Sequence, residues 1–158
     1  MIDKKSLKSP KKKINNRRKS RELIMKGVYR AIVNNFDINQ IKKDIQDDPD
    51  FIRADEVFYL EVIDGVFDNF DLLKKEIITY IDKSYDELSP IELAIIYSSL
   101  YELKFSLSVP YRVVINEAIE VAKSFGGTDG HKFINGVLNK AAAINRKHEF
   151  TTKTNSVI

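Results

Sequence analysis

The chain has 158 residues, 43% of them hydrophobic, enough for one domain with a sizeable core. It has no cysteine, which excludes disulfides, thiol catalysis and thiolate-held metals and suits a reducing cytoplasmic setting. The net charge of +3 conceals an asymmetry: Met1–Arg21 carries ten Lys/Arg and one acid, the remainder 16 bases and 22 acids.

A basic arm on an acidic body points to a polyanionic partner, or else to a solubilising tail. No segment approaches the roughly 20 apolar residues of a membrane span, and the N-terminus has no apolar signal core. Residues 1–14, "MIDKKSLKSPKKKI", are polar and lysine-rich and are expected to be disordered. From Arg17 the pattern becomes helical to about Phe36. Ile24, Val28, Ala31, Ile32 and Asn35 share one face, flanked by Leu23 and Met25. The first turn of that expected helix holds Arg17, Arg18, Lys19 and Arg21. Cations there oppose the helix dipole, which hints that something other than helix stability placed them.

A short helix is expected over Ile38–Ile45, ended by "QDDPD" at Pro49. Asp47, Asp48 and Asp50 lack the ligand spacing and central glycine of a calcium loop and read as a solvated turn. Residues 54–83 predict two helices that break near Asn69-Phe70-Asp71. Val57, Leu60, Ile63, Val66, Phe67, Leu72, Ile77, Ile78 and Ile81 are the candidate core. "ELSPIELAIIYSSLYELKF" opens with Ser89 as N-cap, Pro90 at the first helical position and Glu92 at the third. Val109-Pro110 opens the next helix, with Ser108 as its candidate cap. There Val114, Ile115, Ala118, Ala122 and Phe125 form the apolar face, and Gly126 is the stop.

"FGGTDG" then lies between two helices rather than between a strand and a helix, with no Lys-Ser/Thr after it. It reads as a helix junction, not a phosphate loop, with Thr128 or Asp129 capping a last helix from His131 to about Asn145. His131 and His148, the only histidines, are too far apart and too few for a metal site. No nucleophile or paired-carboxylate pattern stands out, so neither an enzyme nor a cofactor is indicated. In the last helix Ile134, Val137, Leu138 and Ala141 form the stripe, and Phe133 falls roughly 90° from its centre. Phe133 is therefore either a flank of the core or an exposed stacking platform beside Lys132. Gly136, costly by about 1 kcal/mol in a helix interior, predicts a close helix crossing. No alternating strand appears, and the class is all-α.

"LYELKFSLSVPYRVVINEAIEVAKSFGGTDGHKFINGVLNKAA" closely resembles the C-terminal half of the NusB transcription antitermination factors. "RRKSRELIMKGVYRAI" resembles their arginine-rich opening helix. The resemblance spans roughly residues 15–145 and is weakest over 37–88. It implies two small packed helical bundles over 15–148, preceded by the basic extension and followed by a short tail over 149–158. It also implies binding of boxA-type single-stranded RNA in nascent ribosomal RNA transcripts. The ribosomal protein NusE would be the partner, within the RNA polymerase antitermination complex. The RNA-contacting positions it implies are Arg17, Arg18, Lys19, Arg21, Lys132 and Phe133, with Asp129 beside them and Tyr29 as a further candidate. Lys132-Phe133 should then face the arginine helix. Family members are monomers or dimers, so a homodimer is allowed. Tyr97 stands where relatives commonly have arginine. The competing readings are a protein-interaction module and an accessory domain of an RNA-modifying assembly.

Overall fold

The computed structural model describes residues 9–34, 37–125, 127 and 129–156, and among them every regular element is helical. In chain order these are α1 (Ser9–Asn34), α2 (Ile38–Gln46), a 3₁₀ turn (Pro49–Arg53), α3 (Glu56–Asp68) and α4 (Phe70–Ile78). After a second 3₁₀ turn (Tyr85–Glu87) come α5 (Pro90–Phe105), α6 (Tyr111–Phe125), α7 (Gly130–Asn145) and α8 (Lys147–Ser156). The all-α expectation holds. Asn69 separates α3 from α4, and the Ser89 hydroxyl accepts from the Glu92 amide.

Two bundles share one core. The first is α1–α3; the second is α4–α8; α5 belongs to both, packing against α1, α3, α4, α6 and α7. That is why α5 is apolar all round, with Leu93, Ile95, Ile96, Tyr97, Leu100 and Leu103 all buried. α1 is enclosed in the same way: Leu23 and Met25 are as buried as Ile24 and Val28, not flanks of a stripe.

Several expectations are corrected. α1 begins at Ser9, so residues 9–14 continue the helix; the disorder expected of residues 1–8, and the role given to Asn35, lie outside the described residues. Arg17 is thus two turns inside the helix, and the dipole conflict does not arise. Val57, Leu72 and Ile78 are exposed. The inward face of α3 is Phe58, Tyr59, Val62, Ile63 and Val66: Ile63 and Val66 are buried as expected, Leu60 and Phe67 pack at its edge, Phe58, Tyr59 and Val62 are added, and short α4 buries only Leu73 and Ile77. Gly136 has open space around it, whereas a Cβ on Gly65 would lie 2.1 Å from the Tyr101 ring. The close crossing is therefore α3 on α5.

The expected tail is also helical. Buried Arg146 donates to the carbonyls of Glu102, Leu103 and Ser106, satisfying the C-terminal end of α5. Its guanidinium also holds Glu149, whose other oxygen accepts from the Tyr111 amide at the start of α6. Glu149, not Ser108, performs the capping there. α8 is anchored by polar bonds, which leave no apolar stripe in the sequence.

Candidate nucleic-acid interface

α1 and α5 lie antiparallel, so the candidate residues sort to two ends of their contact. At the first end Arg21 meets Glu102 near the end of α5, through Nε–Oε2 at 3.0 Å and Nη2–Oε1 at 2.8 Å. Both side chains are nearly buried, 10% and 3% exposed. Arg18 makes the same two-point pair with Glu117 of α6, at 3.1 and 2.8 Å, but remains 55% exposed. Arg17 lies 3.6 Å from Asp55, and Lys19 reaches Glu22 at 2.9 Å and Asp50 at 3.5 Å. The guanidiniums of Arg17 and Arg21 both lie over the Phe58 ring, at 4.7 and 4.8 Å. The Ser20 hydroxyl, fully buried, lies within hydrogen-bond distance of the Asn16 and Asp55 carbonyls and accepts from the Asp55 amide, pinning α1 to the start of α3.

Electrostatics follow the geometry. The hydrogen-bonded Arg18 guanidinium holds the Glu117 carboxyl below the usual carboxylate range, and Glu117 in turn raises Arg18. Lys19 is raised chiefly by its hydrogen bond to Glu22.

At the other end Met25, Lys26, Tyr29 and Arg30 of α1 meet Asp44, Ile45, Asp48, Ile91 and Phe125 around an open cavity of about 410 Å³. The Lys26 ammonium lies 5.6 Å from the Phe125 ring centroid, and Arg30 pairs with Asp44 at 2.9 Å. Phe125, predicted to be core, is 37% exposed here. α7 starts at this same end: a Cβ on Gly130 would lie 2.9 Å from Glu92 Oε2 at the start of α5. Asp129 occupies the N-cap position without a side-chain cap bond, and its carboxylate lies 3.5 Å from exposed Lys132. Phe133 is half-buried against the core and carries the Lys83 ammonium 4.7 Å from its ring centroid.

The structure therefore brings Tyr29, Asp129, Lys132 and Phe133 to one end and Arg17, Arg18, Lys19 and Arg21 to the other. Glu92 and Glu102 mark the two ends on α5, separated by roughly 15 Å of helical rise. Lys132 pairs with Asp129, and Phe133 carries the Lys83 ammonium. Tyr97 is no surface contact. It is buried, stacked on Phe70 at 4.3 Å, with its hydroxyl 2.6 Å from that of Tyr85, and burial pushes its phenol far above the ordinary value.

These helices have close counterparts. The family model described as "NusB family" matches residues 18–143. The chain belongs to the NusB family. The transcription antitermination protein NusB of Methylobacillus flagellatus is 47% identical over 135 residues, covering 85% of this chain and 88% of that protein. The protein of the same name from Neisseria meningitidis serogroup A is 43% identical over 133 residues, covering 84% and 94%. A solved structure of T. maritima NusB superposes with a TM-score of 0.73 at 28% identity, covering 85% of this chain and 96% of that one. In this NusB-family chain the sequence reading missed Lys26, Arg30 and the exposure of Phe125. It also missed the carboxylate partners of the arm. One signal was available: Glu102 is a charged residue set between the buried Tyr101 and Leu103 on a largely apolar helix.

Proposed function

We propose that this chain is a transcription antitermination factor that binds boxA-type single-stranded RNA in nascent ribosomal RNA transcripts. It acts together with the ribosomal protein NusE, in the cytoplasm, and supports read-through by RNA polymerase. The observation that carries the reading is the open end of the α1–α5 contact. Tyr29 and Phe125 flank a cavity there, and Lys26 and Arg30 line it. Unstacked bases bind to aromatic faces next to cations, and phosphates bind to the cations themselves.

In this reading Tyr29, Phe125 and Phe133 supply ring surface, and Lys132 with Asp129 borders the RNA. Arg17, Arg18 and Lys19 attract phosphate, while Arg21, clamped by Glu102, holds the basic cluster in place. Helices 15–148 form the RNA-binding unit. The test is fluorescence anisotropy with boxA-like and scrambled RNAs, with and without NusE. The pair should discriminate strongly, and the isolated chain should bind weakly and with little sequence preference, because phosphate attraction carries no base information. Equal binding of both RNAs by the pair would sink the proposal and favour a protein-interaction module.

A further inference from the structure

The arginines of α1 are neutralised in two unequal ways. Arg21 is enclosed, and Glu102 holds its Nε and Nη2. Arg18 is more than half exposed, and its clamp, Glu117, has a second cation within reach: Arg21 Nη1 lies 3.8 Å from Glu117 Oε1. When Arg18 swings away, Glu117 keeps Arg21 as a partner, and Arg21 keeps Glu102. No carboxylate is stranded without a cation, so opening this pair avoids the heavy penalty of an unpaired buried charge. Arg18 is the releasable cation of the cluster and Glu117 is its latch.

Resting on the RNA-binding reading above, we propose that Glu117 is a specificity-determining residue. It occupies the Arg18 guanidinium as a phosphate would, withholds it from non-cognate polyanions, and yields it to an RNA fixed in register by other contacts. The physical reason is effective concentration. Glu117 is tethered and always present beside Arg18. A phosphate from loosely held RNA cannot match that local concentration, whereas a phosphate held in place by neighbouring contacts can. Glu117 is ionised across the neutral range, since Arg18 depresses its carboxyl, so the competitor is a full charge. Its two-point geometry is also the one a phosphate would adopt.

The experiment is a cycle of Arg18→Gln, Glu117→Gln and the double variant, all in the full chain, with helicity and melting temperature checked for each. Glu117→Gln should bind scrambled single-stranded RNA about fivefold tighter at about 0.1 M salt, with the log–log salt slope steeper by about 0.7, the equivalent of one further phosphate. Its gain on boxA-like RNA with NusE should be smaller, so the specificity ratio falls. In the Arg18→Gln background the Glu117 substitution should change nothing. Glu117→Asp, which shortens the latch, should give an intermediate gain and serves as the second probe if the glutamine variant folds poorly. A gain that persists without Arg18 would show a general charge effect and overturn the proposal. So would no gain, or a loss on both RNAs, which would make Glu117 a residue that orients Arg18 toward phosphate. Elution from heparin separates the two layers of argument. Later elution of Glu117→Gln that depends on Arg18 reports release of the cation even if the boxA reading fails.

Discussion

The two ends of the α1–α5 contact present opposite solutions to the same problem of carrying cations on a folded surface. At the Arg17–Arg21 end each cation has a carboxylate within 4 Å, drawn from α1 itself, the 3₁₀ turn, the start of α3, α5 and α6. At the Tyr29 end Arg30 and Lys132 also have carboxylates, Asp44 and Asp129, but Lys26 lies over the ring of Phe125 instead, and a cavity stays open beside it. The sequence charge is concentrated at the first end, yet much of it is matched internally. The difference teaches that a run of arginines measures potential for phosphate binding, and that tertiary acids decide how much of it is available. At the second end an open cavity adds shape to the charge.

Breaking the buried pair should have the largest effect. Glu102→Ala leaves Arg21 nearly buried without its carboxylate, and should cost about 3–5 kcal/mol of stability, read as a large drop in melting temperature. A small drop would mean that Glu117 can take over Arg21 and that the two arginines are less distinct than their exposure suggests. Neutralising Arg17, Arg18 and Lys19 together tests the first end as a phosphate surface. The salt slope for single-stranded RNA should flatten by up to about 2, since each phosphate no longer neutralised accounts for about 0.7, with boxA-like and scrambled RNA weakened alike. An unchanged slope would show that their acidic partners never release them.

The second end should respond differently. Phe125→Ala and Tyr29→Ala should each weaken RNA binding by about 1–3 kcal/mol while leaving the salt slope nearly unchanged, which anisotropy titrations at several salt concentrations would show. If these variants instead flatten the slope, the two ends do not divide stacking and charge between them. The smallest effect lies on the exposed side of α7. Gly136→Ala meets no neighbouring atom and should stabilise the protein by up to about 1 kcal/mol, with RNA affinity unaltered. A lower melting temperature would reveal a neighbour that the open surroundings of Gly136 do not suggest.

Much of the fold is legible in local chemistry. Ser89-Pro90 with Glu92 marks the start of α5, Asn69 marks the break between α3 and α4, and the 3.6-residue stripe of Ile134, Val137, Leu138 and Ala141 marks the inner face of α7. α8 was not legible because Arg146 and Glu149 hold it through bonds to α5 and α6, about forty positions away. Gly136 misled because the cost of a helical glycine says nothing about which neighbour, if any, comes close. Phe133 could be placed at the edge of the stripe from the sequence, but the Lys83 ammonium over its ring comes from another part of the chain.

What the sequence by itself determined is the part governed by neighbours within a turn or two: the helices, their breaks and caps, and the basic asymmetry of the first 21 residues. The family motifs added the likeness of the whole. What only the tertiary structure decided is which charges remain available. Arg18 and Glu117 are 99 positions apart, and Arg21 and Glu102 are 81. No local periodicity encodes such a pairing, because it arises when packing of α1 against α5 and α6 brings together groups that are strangers in sequence. The same packing turns Phe125 from a core position into the rim of a cavity, since the exposure of a side chain is set by what the neighbouring helices cover.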